Sequence, residues 1–280
     1  GLRDRAVIAS KFAYSADPTN PNAGGNGRKA MMRAVEGSLR RLGTDQLDLY
    51  LVHTWDRTTP VDEVMRAFDD LVASGKVLHV GLSNVPAWYA SRAQTLAELR
   101  GWTPLAALQL EYSLVERFIE HEFVPLGLAH GMSVMVWSPL ASGLLSGKYR
   151  PGAAGGGRLD QLADSGNPAF AKFTERNWRI VAELEQVARE LGRPMAQVAV
   201  NWVANRPGVA SVILGATKPA QLTDTLDALS FELPAELAAR LDAVSAPARP
   251  FPYNFFGPEI QTVLHGGLAV AAAPTGGHRP

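Results

Sequence analysis

Ala6-Val-Ile-Ala-Ser-Lys11 and Leu47-Asp-Leu-Tyr-Leu-Val-His53 decide the fold. Each is an apolar, strand-like run that ends in a residue with chemistry. Between them, Arg28 to Leu42 carries Met31, Met32, Val35 and Leu39 at helical spacing and stops at Gly43, a C-cap. Strand, helix and strand in that order make a parallel pair joined by a crossover. The alternation continues. Thr59-Pro-Val-Asp-Glu63 is a helix start, with proline at the first position and acids in the first turn. That helix runs to about Ser74. Val77 to Ser83, Ala106 to Tyr112 and Met132 to Leu140 are further strands, separated by helices over Trp88 to Arg100 and Glu120 to His130.

The pattern breaks from about Ser142 to Asn167, a stretch rich in Gly and Pro that includes Gly-Ala-Ala-Gly-Gly-Gly at 152–157. A connection this long is a functional loop, a mobile lid or a surface insertion. Helices follow over Phe173 to Leu191 and Pro194 to Ala204, then a last strand over Val209 to Ala216 and helices over Lys218 to Leu229 and Pro234 to Val244. The tail holds Phe251, Tyr253, Phe255 and Phe256, too aromatic for a purely solvated end. Gly266 to Pro280 is expected to be disordered.

A doubly wound open sheet normally shows G-x-G-x-x-G after its first strand, and no strand here is followed by it. A barrel is expected instead, with polar groups gathered at the C-terminal strand ends: Lys11, His53, Ser83 and Asn84, Gln109 and Glu111, Trp137 and Ser138. About six strand-plus-helix units can be counted where a closed barrel needs about eight. The expectation is therefore an α/β (β/α)8 TIM barrel, N-terminally truncated to about six βα units. It forms a single partial domain over 1–267 with a disordered end over 268–280.

The 280 residues are 46% hydrophobic and 19% charged, enough for one large core. The net charge of +0 argues against a nucleic-acid or anionic-membrane partner. The absence of cysteine removes disulfides and thiolate catalysis. No apolar run reaches the roughly 18 residues of a membrane span, and no signal peptide opens the chain. A cytoplasmic enzyme is expected. The oligomeric state is not readable. A metal is not expected, because His79, His121, His130, His265 and His278 show no ligand spacing with His53.

Lys11 has an apolar stem and an ammonium at the barrel mouth. As physics alone it is compatible with a snorkelling lysine, a cation that polarises a carbonyl, or a Schiff-base lysine. A neutral His53 can pack in the core, orient a carbonyl oxygen or assist proton transfer. Trp137 to Lys148 joins an aromatic ring to a glycine-containing loop and a cation, which suits a planar heterocycle and a phosphate. Gly215, Thr217 and Lys218 enter a helix, where N-terminal amides favour an anion.

Val7-Ile-Ala-Ser-Lys11, Leu47 to His53, Gly75 to Asn84, Leu108 to Leu114, Val136 to Tyr149 and Val212 to Leu222 resemble, in order and spacing, the aldo-keto reductase superfamily. The likeness is nearest the bacterial branch similar to potassium-channel β-subunits, which has Trp in its W-S-P-L motif. The resemblance implies a barrel that binds NADP(H) and reduces a small-molecule carbonyl substrate by hydride transfer, using an Asp, Tyr, Lys, His tetrad. Lys11 and His53 match two tetrad members. Ser83, Asn84 and Gln109 match residues that hold the nicotinamide carboxamide, and Trp137 matches the ring that stacks on it. Ser138, Pro139, Leu140, Gly143, Leu145 and Lys148 match the pyrophosphate loop, with Arg158 where some relatives place a loop arginine. Gly215, Thr217, Lys218, Gln221, Asp224 and Thr225 match the adenosine-phosphate end, although the family often has Asn at the last position. Trp55 is expected in the substrate wall. The tetrad Asp and Tyr find no match and are expected ahead of Gly1; Tyr14 is a poor substitute acid. The alternatives are a cofactor-binding regulatory module with little turnover and an inactive truncated reductase.

Overall fold

Met31, Val35 and Leu39 lie buried on one face of α1 (Arg28–Leu42), as their spacing requires. Gly43 ends that helix in the left-handed conformation, φ 65°, which a residue without Cβ adopts without strain. The computed structural model describes residues 1–152, 157–268 and 270. Part of the glycine-rich loop (153–156) and most of the end expected to be disordered (269, 271–280) lie outside the described residues.

Six strands form one sheet in chain order: β1 (Ala9–Phe12), β2 (Leu47–Val52), β3 (Val77–Ser83), β4 (Leu105–Glu111), β5 (Ser133–Trp137) and β6 (Val209–Val212). β1 pairs with β2, β2 with β3 and β3 with β4, all parallel, with Lys11 opposite Leu51 and Ser83 opposite Gln109. Helices separate these strands: α1, α2 (Val61–Ala73), α3 (Ala87–Arg100) and α4 (Phe123–His130). This is the alternating α/β order expected from the sequence. Near-continuous apolar runs in β2 and β4 agree with strands covered on both faces. In β3, Gly81 leaves no room for a side chain: a Cβ there would meet the Ala107 carbonyl oxygen at 2.5 Å.

The chain divides into two compact units, the first over 1–110 with 125–134, the second over 111–124 and from 135 onward. The first holds β1 to β4 and α1 to α4, with Tyr50 stacked on Phe12 at 5.0 Å and Phe68 edge-on to both. The second holds α5 (Arg158–Ala163), α6 (Glu175–Leu191), α7 (Met195–Ala204), β6, α8 (Pro219–Leu226), α9 (Ala235–Ser245) and α10 (Pro258–Leu264). Ile180, Leu184 and Val187 of α6 and Val198 and Trp202 of α7 are buried there.

Several boundaries differ from expectation. β1 begins at Ala9 rather than Ala6, and Val7 is 81% exposed, so Lys11 lies within the strand rather than at its end. The helix expected over Glu120 to His130 is a short 3-10 turn, Phe118–Glu120, followed by α4. The loop expected over 142–167 contains α5, which Asp160 caps by accepting from the Gly157 N–H. The last strand stops at Val212 rather than Ala216. In the tail, Tyr253 donates to Glu122 and packs on His121 at 5.1 Å, whereas Phe251, Phe255 and Phe256 are exposed. Among the described residues, no helix is long and apolar enough to cross a membrane.

Candidate active site

The C-terminal ends of the first unit's strands bring together five of the residues singled out in the sequence. Lys11 of β1 donates from Nζ to Oε1 of Gln109 on β4. Burial lowers its pKa from the usual lysine value. Ser83, fully buried at the end of β3, stands opposite Gln109 in register. Asn84 follows with φ 49°, a conformation Asn tolerates better than most residues. Its Nδ2 donates to the His53 carbonyl and to Ser83 Oγ, both at 3.0 Å, and its own carbonyl accepts from Trp55 N at 3.3 Å. His53 thus follows β2 tied to the turn after β3. Burial first, and then the Lys11 ammonium, hold the imidazole below its ordinary pKa, so it is neutral at pH 7.

Trp55 packs edge-on to Trp88 at 5.5 Å and near Tyr89 at 6.1 Å. Two further residues join this group: Tyr14, weighed in the sequence only as a poor substitute acid, and Asp56, which the sequence did not single out. Tyr14 sets its ring against that of His53, centroids 4.7 Å apart and planes at 76°, while 69% of its surface stays exposed. Asp56 accepts from Asn26 N at 2.8 Å, Thr58 N at 3.0 Å, Thr59 N at 2.9 Å and Thr59 Oγ1 at 2.6 Å. Burial pushes its pKa up, but the bonds from Thr59, Asn26 and Thr58 outweigh that and bring it down to about 2.

In the second unit, Trp137 ends β5 and its carbonyl accepts from Tyr112 N at 3.3 Å. Ser138 turns the chain with φ 56°, and its Oγ accepts from Ser142 N at 3.1 Å. Pro139 and Leu145 are buried, and the Leu140 carbonyl accepts from Gly143 N and Leu145 N. Gly143 has φ 97°, and a Cβ there would meet Lys148 Cε and Nζ at 3.0 Å. A Cβ at Gly157 would lie 3.2 Å from the same Nζ. The amine of this exposed lysine therefore lies close to two bare backbones and 5.0 Å from the Tyr149 ring. Arg158, at the start of α5, is exposed.

At the other predicted anion site, Gly215, Thr217 and Lys218 are exposed before α8. The Thr217 and Lys218 N–H groups both donate to Gln221 Oε1, at 3.0 and 3.2 Å, so a side chain already caps this end. Thr225 donates to the Gln221 carbonyl at 2.7 Å, which turns its hydroxyl back onto the helix. Gln197, which the sequence did not single out, donates to the Asp224 carbonyl and Oδ1. Its own Oε1 is buried without a partner. Bare backbone beside the Lys148 amine leaves room of the kind a phosphate-bearing ligand uses.

The family model described as Aldo/keto reductase family matches residues 1–246. The chain is 36% identical over 247 residues to "Uncharacterized oxidoreductase YrpG" of Bacillus subtilis (strain 168), covering 86% of this chain and 72% of that protein. It is 34% identical over 257 residues to a "Probable voltage-gated potassium channel subunit beta" of Oryza sativa subsp. japonica, covering 90% and 78%. With an "Aryl-alcohol dehydrogenase [NADP(+)]" of Phanerodontia chrysosporium it shares 31% identity over 271 residues, covering 92% and 69%.

Proposed function

The chain belongs to the aldo/keto reductase family, and on that premise we propose that it reduces an aldehyde or ketone at the expense of NADPH. The observation that carries the proposal is the hydrogen bond that joins Lys11 on β1 to Gln109 on β4 across two intervening strands. When bound, the nicotinamide supplies the hydride. By the family resemblance, Ser83, Asn84 and Gln109 of the first unit would hold a carboxamide, and Trp137 of the second would offer an aromatic face. The loop from Ser138 through Lys148, with Arg158, takes the pyrophosphate. Gly215, Thr217, Lys218, Gln221, Asp224 and Thr225 take the adenosine end, where the Lys218 ammonium favours the extra phosphate of NADP(H).

Neutral His53 donates an N–H to the carbonyl oxygen and orients it. The oxygen becomes the alcohol hydroxyl by taking a proton, which in the family's tetrad the tyrosine supplies, and the Lys11 ammonium would lower that tyrosine's pKa and stabilise the negative charge that develops there. In a partly dehydrated site such preorganised charge is worth far more than in water. Trp55 closes one side of the substrate space and helps exclude water.

The test is aldehyde-dependent loss of reduced-nicotinamide absorbance in the purified protein, with NADPH affinity measured alongside. Lys11→Met and His53→Gln are each expected to lower turnover by roughly 10²–10⁴-fold and to leave cofactor affinity close to unchanged. NADPH binding with no aldehyde-dependent oxidation overturns the reductase reading. It would favour the alternative of a cofactor-binding regulatory module with little turnover.

A further inference from the structure

The most unusual backbone in the first unit lies beside its histidine. Ala13 has φ 147°, outside the regions an L-residue ordinarily occupies. Such an outlier persists only where its surroundings hold it. The clamp is on the other side of the same loop. Gly25 N donates to the Ala13 carbonyl at 2.7 Å, and Gly24 lies so close that a Cβ would meet Ser15 N at 3.0 Å and the Ala13 carbonyl oxygen at 3.1 Å. The next residue, Asn26, is 1% exposed and is bound reciprocally to Asp56: its N–H donates to Asp56 Oδ2, and its Oδ1 accepts from Asp56 N at 2.8 Å. Asn26 Nδ2 reaches the Thr54 carbonyl at 3.0 Å. Two loops that follow different strands are thus fastened together at Asp56. What the fastening presents is Tyr14, edge-on to His53 and mostly open to solvent.

We propose that Tyr14 is the specificity-determining residue of the carbonyl site, offering its ring to a planar, conjugated carbonyl compound, and that Asp56 is the positioning residue that holds it there. The inference rests on the carbonyl-reductase reading and deepens it. An exposed aromatic ring fixed beside the group that meets the carbonyl oxygen gains little from a saturated chain and more from a flat π-system. Offset or edge-on aromatic contacts are stronger than area alone predicts. Fixing the ring beforehand removes the cost of ordering it on binding. Asp56 suits the role because its carboxylate stays ionised well below neutral pH, so the fastening does not loosen in ordinary conditions.

The experiment compares benzaldehyde with cyclohexanecarbaldehyde, a saturated ring of the same size, on the full chain saturated with oxidised NADP+ so that no turnover intervenes. Calorimetric affinities are expected to favour benzaldehyde by roughly three- to tenfold. Tyr14→Phe keeps that preference and Tyr14→Leu abolishes it. Asp56→Asn weakens it and raises KM for benzaldehyde more than it lowers kcat. If Asp56→Asn fails to fold, Asn26→Ala loosens the same fastening and should act in the same direction. Equal affinities in the unaltered protein, or a preference that survives Tyr14→Leu, overturn the proposal. A preference without any NADPH oxidation removes the reductase reading and leaves the aromatic site. Oxidation of NADPH without a preference does the reverse.

Discussion

Lys11 on β1 donates to Gln109 on β4, although β2 and β3 lie between their strands. On a flat sheet, strands three places apart are roughly 14 Å from one another, and side chains standing perpendicular to it do not meet. The bond therefore reports that β1 to β4 curl, concave on the side these two residues share. Curvature is what turns a row of strand ends into a site, because it converges side chains that the sequence places almost a hundred residues apart.

That convergence sets the titration of His53. Burial and then the Lys11 ammonium hold its pKa below the ordinary histidine value. Lys11→Met removes the second cause and leaves the first. The His53 midpoint, followed by the NMR shift of its ring protons, should rise in the variant and still stay below the ordinary value. The sign for stability follows. A histidine whose folded pKa is depressed holds its contribution at neutral pH. It loses that contribution as the pH falls below the unfolded value and through the folded one. Lys11→Met should therefore soften the acid-side loss in thermal stability. An unmoved His53 midpoint would contradict this coupling.

Local periodicity made α1 legible in the sequence, since Met31, Val35 and Leu39 declare a buried face without reference to anything distant, and α2 was legible by its start, with Pro60 ahead of Asp62 and Glu63 in the first turn. Strand ends with chemistry were legible for the same reason, as polar residues closing apolar runs. The fastening of Asp56 to Asn26 was not, because its bonds join residues thirty apart with no shared pattern. Gln197 was hidden too: it shares a mostly apolar helix with Asn201 and carries no local mark, and only packing aims it at Asp224. α5 was lost because its single apolar turn, with buried Leu159, is too short to show a period.

Gly143 offers a test of the loop that follows β5. At φ 97° a side chain is strained, which should cost about 1–2 kcal/mol in Gly143→Ala. The steric part is small, because the atoms met are the far end of Lys148, which can swing aside. Swinging aside is what matters for function, since it moves the cation away from Gly143 and Gly157. NADPH affinity, measured by fluorescence, should fall by more than the melting temperature alone would suggest. A lower melting temperature with intact affinity would detach this loop from the cofactor.

Arg117 is the buried charge on which the second unit depends. Its guanidinium meets Glu120 twice, Nε to Oε1 at 2.8 Å and Nη2 to Oε2 at 2.9 Å. It also donates to the Asp242 carbonyl and Ser245 Oγ, and lies 5.1 Å from the Trp202 ring. Only 7% of Arg117 is exposed, so Glu120→Gln leaves a buried cation with half its match. The cost should be about 2–3 kcal/mol, less than for an isolated buried pair because Asp242 remains nearby. Denaturant unfolding of the two proteins measures it, and a difference below about 0.5 kcal/mol would mean the charge finds water instead.

Glu111 closes β4 and pairs with Lys172 at 2.9 Å, both largely buried in the second unit. Burial raises the Glu111 pKa, and the Lys172 charge and hydrogen bond pull back against that rise without cancelling it. Lys172→Met removes the restraint, so the carboxyl should titrate at still higher pH. An acid with a raised folded pKa contributes stability that is complete below its unfolded value and is lost as the pH rises through the folded one. The variant should therefore lose melting temperature relative to the unaltered protein as the pH climbs above the ordinary carboxylate range, and approach it again in acid. Because Lys172 lies just before α6 and its carbonyl accepts from Asn177 Nδ2, the segment leading into that helix should loosen together with the ion pair. Hydrogen exchange at 172–177, after correction for intrinsic rates, would then quicken more steeply with rising pH in the variant than in the unaltered chain. A constant offset in melting temperature across the pH range would instead assign Lys172 a packing role and remove Glu111 from the titration.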